Sequence, residues 1–448
     1  MKIFSAFLLF LLLSQGTEVA ANQNDINQKL QQGGIIHLPA GTYVLTDSII
    51  LQSNTTLEGE PGTVITIPDH AGWPDWKSLI SGTDVYNVTI RNLEINANSD
   101  GNPETPHGAG YYNCIYVTGC KNIQVYNCTL KNGLGDGLRI KSSTNIKFYN
   151  NLVSRLGHDG FFGIDSQNIE CFNNRITTRT NSALRIWNSA HVRFHDNIID
   201  AQLDAQGGNS GIQIEDSKGN ISCVEICNNI LIRTWGAGVW LVSYDAGISN
   251  KQWVLIHHNL FYEVGQSSNI PYTGGIVNDG FKGTRIYNNV FDASKNNAFR
   301  NQAGGQDTII KDNIITNTVQ HTFISQTGTG YGIVDLAGTG LSITGNCFYG
   351  NENGNLYQAA SLNDDLADPK THQTSSGWTW TGSTWTCESV KPVELGSIPL
   401  TITVEMKLNS ILQGIYQTIH EMKQRMLSHM NKADANEYTR YENISYDQ

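Results

Sequence analysis

The sequence predicts an all-β chain folded as a right-handed parallel β-helix, followed by a C-terminal amphipathic helix. Three observations predict this fold. A short Asn-containing phrase recurs along the chain, runs of alternating apolar and polar residues surround each copy, and the intervals between copies are too short for a crossover helix throughout. A repeat of this kind is typical of a solenoid, because each copy marks one coil stacked on the one before.

The recurring phrase is Asn, Asp or His followed by Asn or Cys and then two mostly apolar residues. Its copies are Asn127-Cys128, Asn150-Asn151, Asn173-Asn174, Asp196-Asn197, Asn228-Asn229, His258-Asn259, Asn288-Asn289, Asp312-Asn313 and Gly345-Asn346. The first four lie 23 residues apart, and later intervals grow to between 24 and 33. We therefore predict coils of three strands and three turns, stacked at about 4.8 Å, with asparagines that tolerate left-handed backbone and form a ladder.

The chain divides into three predicted segments. Residues 1–21 have the charge and the apolar run of a signal peptide, so we expect a secreted or cell-surface protein without a membrane span. Residues 22–395 form the solenoid, and residues 396–448 contain a strand and an amphipathic helix. The apolar positions of that helix are Leu408, Leu412, Ile415, Ile419, Met422 and Met426. This helix would cap the solenoid or join copies into a homo-oligomer.

Composition limits the choice of partners. The formal net charge is -11, which disfavours nucleic acid, so an acidic ligand would require a local basic patch. The eight cysteines lack zinc-finger and haem-attachment spacing. Buried free thiols and disulfides both remain open for them.

A second recurring phrase predicts a basic and aromatic patch. Its copies begin "GDGLRIK", "GHDGFFGI", "NSALRIW", "NSGIQIE" and "GAGVWLV". Alternation along the strands predicts outward positions for Arg139, Lys141, Phe162, Arg185, Trp187, Gln213, Glu215 and Trp240. Basic side chains pair with sugar carboxylates and aromatic rings cover sugar faces, so we favour substrate binding over an ordinary solvated sheet face.

Two aspartates of this phrase are the candidate catalytic pair. Asp136 and Asp159 lie one coil apart, which would place their carboxyl groups about 5 Å from each other, as in a retaining glycosidase. One of them would then hold a proton, and His158 would shuttle or orient it. Because Asp-Gly is also a common turn dipeptide, a turn role and a catalytic role are equally supported.

Three further residues are secondary candidates for the site. Asp165 or Glu215 could supply the second carboxyl group of an inverting pair, at about two coil spacings. His107 lies in the long insertion "SDGNPETPHGAGYYN", which could reach over the groove.

The chain resembles two groups of known proteins. Its opening "LPAGTYVL" resembles the first coils of pectin-lyase-like β-helices. The phrases "RLGHDGF", "RTNSALRI" and "TWGAGVWL" resemble the disaggregatase-associated region of methanogenic archaea, over roughly residues 30 to 350. This resemblance implies depolymerisation of methanochondroitin, a matrix polysaccharide of uronic acid and N-acetylgalactosamine.

Three functions follow as hypotheses. The first is a glycoside hydrolase that cuts an acidic polysaccharide with Asp136 and Asp159. The second is a polysaccharide lyase, in which an arginine or lysine removes a proton and a cation such as Ca²⁺ neutralises the uronate. The third is a glycan-binding surface protein without catalysis.

Overall fold

The computed structural model describes most of the predicted solenoid. Described are residues 23–359, apart from 109, 178–180, 201–209, 268–271, 303, 322–326 and 339–340, together with two strands near residue 380. By its internal contacts the chain separates into residues 1–390 and residues 391–448. The predicted signal peptide and the predicted C-terminal helix lie outside the described residues.

Three parallel sheets, here called A, B and C, form the solenoid, and each contains twelve strands among the described residues. The strands of sheet A are Gly34–Leu38, Thr55–Gly59, Tyr86–Arg91, Lys121–Tyr126, Thr144–Tyr149, Gln167–Phe172, Ala190–His195, Ser222–Cys227, Val254–His257, Arg285–Tyr287, Thr308–Lys311 and Leu341–Thr344. The strands of sheet B are Gly41–Val44, Thr63–Thr66, Glu94–Asn96, Thr129–Gly133, Leu152–Leu156, Arg175–Ile176, Ile198–Asp200, Ile230–Ile232, Leu260–Tyr262, Val290–Asp292, Ile314–Thr316 and Cys347–Tyr349. The strands of sheet C are Ile49–Ile50, Ser78–Thr83, Asn113–Thr118, Leu138–Lys141, Phe161–Ile164, Leu184–Trp187, Ile212–Asp216, Val239–Ser243, Ile276–Asp279, Asn297–Asn301, Tyr331–Asp335 and Gly354–Tyr357.

Successive strands of one sheet come from successive coils, so the predicted strand–turn coil and the all-β fold class are confirmed. Inward side chains stack in columns along the axis; in sheet C one column contains Leu138, Phe161 and Leu184, all fully buried. Their neighbours in the strand point outward. The core is therefore a stack of apolar layers, and function must lie on the outer faces or in the turns.

The helix Gln23–Gln32 covers the first coil, which the sequence had not led us to expect. Ile26 and Leu30 are buried in the solenoid core, and the helix contacts strands Gly34–Leu38 and Ile49–Ile50. A short 3-10 helix occupies Ser99–Gly101, and Trp378–Trp380 pairs antiparallel with Trp385–Cys387. Among the described residues, no helix has the length and apolarity to span a membrane.

The two residues of the recurring Asn phrase have different structural roles. The first residue adopts a positive φ, as at Asn150 and Asn173. The second forms the ladder: the backbone N–H of Asn151 donates to Oδ1 of Asn174 at 3.0 Å, and that of Asn174 to Asn197 at 3.1 Å. The ladder is thus confirmed, but the left-handed backbone belongs to the preceding residue.

Some cysteines of the chain are buried free thiols, and one described cysteine forms a disulfide. Five of them are buried free thiols, namely Cys114, Cys120, Cys128, Cys171 and Cys227. Cys223 is disulfide-bonded. Both alternatives left open by the sequence therefore occur.

Candidate active site

The outer face of sheet C carries the residues that the sequence placed together. The first row, read along the axis, contains Arg139, Phe162, Arg185, Gln213 and Trp240. The second row contains Lys141, Ile164, Trp187, Glu215 and Val242. The predicted register of these strands is confirmed.

The first row is much less exposed than expected. Arg139, Phe162, Gln213 and Trp240 are all buried, and so is Glu215 in the second row. Trp240 stacks on Tyr272 with ring centroids 3.7 Å apart, so the outward position predicted for Trp240 is covered by another side chain. Lys141 is exposed and Trp187 is half-buried, with its Nε1 donating to Ser217 at 3.2 Å.

Asp136 and Asp159 occupy a ladder of their own at the start of the sheet C strands. The backbone N–H of Asp136 donates to Oδ1 of Asn113 at 2.7 Å. The N–H of Asp159 donates to Oδ1 of Asp136 at 2.9 Å, and that of Ser182 to Oδ1 of Asp159 at 2.8 Å. One oxygen of each aspartate therefore performs the turn role, while the second oxygen is available for other contacts.

His158 joins the two aspartates. Its Nδ1 lies 2.6 Å from Oδ1 of Asp136 and 3.0 Å from Oδ2 of Asp159, and the donor atoms of all three groups lie within 4.8 Å of one another. We call Asp136, His158 and Asp159 the central triad. Burial opposes the charge of His158, but Asp159 and Asp136 outweigh it and raise its pKa to about 10.

The raised pKa of His158 keeps this ring protonated at neutral pH. Burial alone would raise the pKa of Asp136, but His158 and Arg139 lower it below its ordinary value. The expectation that two neighbouring carboxyl groups force one to stay protonated does not hold for Asp136, because cations adjoin it.

Both arginines of the first row are paired with carboxylates of the protein. Arg139 Nη1 donates to Oδ2 of Asp136 at 2.8 Å. Arg185 contacts Asp159 at 3.4 Å and Glu215 at 2.7 Å, and its guanidinium lies 4.3 Å from the ring centroid of Phe162. Three carboxyl groups thus face three basic groups, and the centre is formally neutral. We had predicted from the sequence that these arginines would pair with carboxylates of the substrate instead.

Glu215 is enclosed by hydrogen-bond donors. Gln213 Nε2 donates to its Oε1 at 3.0 Å, the hydroxyl of Tyr244 donates to the same oxygen at 2.6 Å, and Arg185 holds the other oxygen. Burial, followed by the hydrogen bond to Glu215, raises the pKa of Tyr244. Both oxygens of Glu215 therefore accept hydrogen bonds from side chains of the protein.

Only part of this site is within reach of a ligand. Asp136 and Asp159 are 0 % exposed, whereas the His158 side chain is 15 % exposed. Trp76 and Tyr244 are more than half exposed. The centre of the Trp76 ring lies 5.1 Å from the guanidinium carbon of Arg139, and the centres of the Tyr244 and Trp187 rings lie 6.2 Å apart. A ligand would thus contact the exposed rings of Trp76 and Tyr244 and the exposed part of His158.

The secondary candidates have different outcomes. Asp165 lies in the turn at the far end of its strand and pairs with Lys218 at 2.9 Å, so the structure does not bring it to the central triad. That turn borders a separate cavity with His191. His107 is exposed and lies beside Gly157, the residue before His158, so the insertion does reach the site.

The central triad has enough donors for a divalent cation but fits Ca²⁺ poorly. Ca²⁺ prefers six to eight oxygen ligands, whereas the triad offers carboxylates and a ring nitrogen. His158 and Arg139 already neutralise Asp136. The described residues favour a protonated histidine at this position.

Several residues of the site had escaped the sequence argument. Asn113 lies 23 residues before Asp136, so extending the repeat one coil backwards would have found the start of the ladder. Trp76 and Tyr244 follow no repeat position, because they lie in the irregular stretches outside the strands.

The fold and the face of sheet C define a right-handed parallel β-helix protein. The family model for a right-handed β-helix region matches residues 78–252, which include the central triad. The model for disaggregatase-related proteins matches residues 221–391. The resemblance predicted from the sequence is thus confirmed there, including the phrase "TWGAGVWL".

Solved structures agree with this fold. The A-module of mannuronan C-5 epimerase AlgE6 from Azotobacter vinelandii aligns with a TM-score of 0.56 at 14% identity, covering 78% of this chain and 97% of that one. The pre-mature gene product 12 of bacteriophage phi29 gives 0.58 at 15%, covering 78% and 54%. A GH87 alpha-1,3-glucanase catalytic domain in complex with tetrasaccharides gives 0.54 at 16%, covering 76% and 67%. At such identities these likenesses show the fold alone. No curated protein matches the chain significantly.

Proposed function

We propose that this protein is a secreted depolymerase of an acidic polysaccharide and that it acts as a glycoside hydrolase. The central triad is the observation that carries this proposal. A ladder needs only a neutral oxygen at each position, yet here two carboxylates on adjacent coils hold a protonated histidine. A buried ionic group of this kind has a cost in stability that the fold alone does not require.

His158 is the proposed proton donor. It is the member of the triad that a ligand can reach, and Asp136 and Asp159 keep it charged and fixed in orientation. Hydrolysis of a glycosidic bond needs a proton on the leaving oxygen and a water molecule at the anomeric carbon, whose own proton then restores the acid. Asp159 is the proposed positioning carboxylate: it is fully buried and acts through His158, because its Oδ2 contacts both His158 and Arg185, and Glu215, across Arg185, is the alternative.

The exposed aromatic rings of the site support a sugar ligand. Trp76 and Tyr244 present flat rings on both sides of the charged centre, and such rings pack against sugar faces. Polysaccharides are also the ligands of two of the similar folds, a mannuronan epimerase and a glucanase. The disaggregatase-related match supports an acidic matrix polysaccharide of the methanochondroitin type.

A lyase is the second candidate, but its proton-removing arginine is disfavoured. Burial opposes the charge of Arg185, yet Asp159 and Glu215 outweigh it and raise its pKa. An arginine held in this way is a poor base at neutral pH.

The test is incubation with a panel of uronate-rich polysaccharides and mass analysis of the products. Hydrolysis adds one water at each cut, whereas elimination gives an unsaturated product that absorbs in the near ultraviolet. Asp159→Asn, which retains the ladder oxygen, should lower cleavage roughly 100-fold or more. Lys121→Gln, on the exposed outer face of sheet A, is the matched control and should cleave as wild type does. Retention of the glycans without any product would instead identify a binding protein.

A further inference from the structure

The first row of sheet C continues beyond Trp240 to another arginine. Trp240 is followed in register by Val277 and then by Arg300. Four coil spacings separate Arg185 from Arg300, which corresponds to about 19 Å along the axis. An extended polysaccharide lying along this row would therefore contact both regions.

Arg300 is buried and has no carboxylate partner among the described residues. It is 5 % exposed, and its Nη1 donates to Oδ1 of Asn297 at 3.3 Å and to the carbonyl oxygen of Thr327 at 2.9 Å. Its Nε has no hydrogen-bond partner within the part of the chain that the structure describes. Burial lowers the pKa of Arg300, and no neighbouring carboxylate opposes that effect.

Other buried arginines of the chain differ in this respect. Arg139 and Arg185 pair with the carboxylates of the site, and Arg285 pairs with Asp307. Removing a guanidinium from water without a counter-charge is costly, and a ligand anion would offset that cost. Among the arginines described on this face, Arg300 is thus the one whose charge has no carboxylate beside it.

A second unpaired donor lies on the same row. The indole Nε1 of Trp240 is buried and has no hydrogen-bond partner among the described residues. Trp240 and Tyr272 stack and form an apolar cluster with Ala237, Val242 and Val277 between the central triad and Arg300. Donors beside flat apolar rings match a sugar chain, which has many acceptors and apolar ring faces.

We propose that Arg300 binds a carboxylate of the polysaccharide, in an anion subsite four coils from Arg185, and that the neutral centre does not recognise substrate charge. This inference rests on the proposed function. It assigns charge recognition to Arg300 and leaves Arg139 and Arg185 to hold the central triad. The polymer class it selects carries carboxylates at intervals along an extended chain.

The experiment measures affinity by calorimetry, in an Asp159→Asn background that slows cleavage. The probes are oligosaccharides of unsulfated chondroitin, an alternating uronate and amino-sugar polymer, and the same oligosaccharides with their carboxyl groups reduced to alcohols. Arg300→Met should weaken binding of the acidic form roughly 10- to 100-fold, the range expected for a lost charge-assisted hydrogen bond. Binding of the reduced form should not change. Arg300→Lys, which keeps the charge, should retain most of the affinity.

Arg285→Met is the matched control, because it removes a buried arginine from sheet A, on a different face. It should leave both affinities unchanged. Equal affinity of Arg300→Met and its parent for the acidic probe, or an equal loss for both probes, would overturn the inference and leave the proposed function intact. Failure of the parent to bind either probe would overturn the inference together with the proposed chondroitin-like substrate class.

Discussion

Two ladders of the same geometry run along this solenoid, one of asparagines and one that contains aspartates. In the first, Asn151 and Asn174 each accept a backbone N–H and donate their own amide groups to carbonyl oxygens, so the polar atoms of these two side chains have neutral partners. In the second, Asp136 and Asp159 each accept a backbone N–H from the next coil in the same way. The backbone therefore does not explain the negative charge.

The difference between the ladders lies in what surrounds them. Around Asn174 are backbone carbonyls and other asparagines. Around Asp136 and Asp159 are His158 and two arginines. Asp136 and Asp159 thus have two roles: they accept a backbone N–H in the ladder, and they pair with cations. Exchanging Asn and Asp between the two ladders tests these roles separately.

The largest effect is expected when a carboxylate enters the asparagine ladder. Asn174→Asp would place a charge where the side chain now donates to the carbonyl of Phe148 at 2.9 Å. We expect a loss of about 3–5 kcal/mol in the free energy of unfolding at pH 7, because no cation is paired with this position. Burial would raise the pKa of the new carboxyl group, so the loss should shrink as pH falls towards about 4. Urea denaturation at several pH values measures this, and a loss below about 1 kcal/mol would remove the contrast between the ladders.

A smaller loss is expected when the charge leaves the aspartate ladder. Asp136→Asn retains the oxygen that accepts the N–H of Asp159 but removes the partner of Arg139 and His158. We expect a loss of about 1.5–3 kcal/mol, the range for hydrogen bonds to charged groups. Arg139→Met in the same chain should recover part of it, since one unpaired cation is then gone. Strict additivity of the two losses in a double-mutant cycle would show that Asp136 and Arg139 act independently.

The sequence predicted the ladders better than their surroundings. The 23-residue spacing predicted the coils, and alternation predicted that Arg139, Phe162 and Arg185 share a row. Both signals are local and periodic. The burial of that row could not be predicted, because Trp76, Tyr244 and Tyr272 come from irregular segments.

The pairing of the arginines was also beyond the sequence. Arg185 reaches Glu215 one coil later and Asp159 one coil earlier, and the choice between these carboxylates and a ligand depends on side-chain geometry. Periodicity places residues on a face, but it does not determine which of their charges are already neutralised. Arg300, on the same row and without a carboxylate, shows how much that distinction matters for function.

The last prediction concerns the proton that distinguishes the two ladders. His158 has a pKa of about 10 in the folded protein, against 6.5 for an unperturbed histidine. Its raised pKa contributes stability that is complete below pH 6.5, declines as pH rises and is lost above about pH 10. We expect the wild type to lose stability over this range relative to His158→Gln, by up to about 5 kcal/mol for a rise in pKa of this size. Thermal unfolding of both proteins between pH 6 and 10.5 measures the difference. A gap that does not change with pH would mean that His158 is neutral, and the central triad would then resemble the asparagine ladder in charge as well as in geometry.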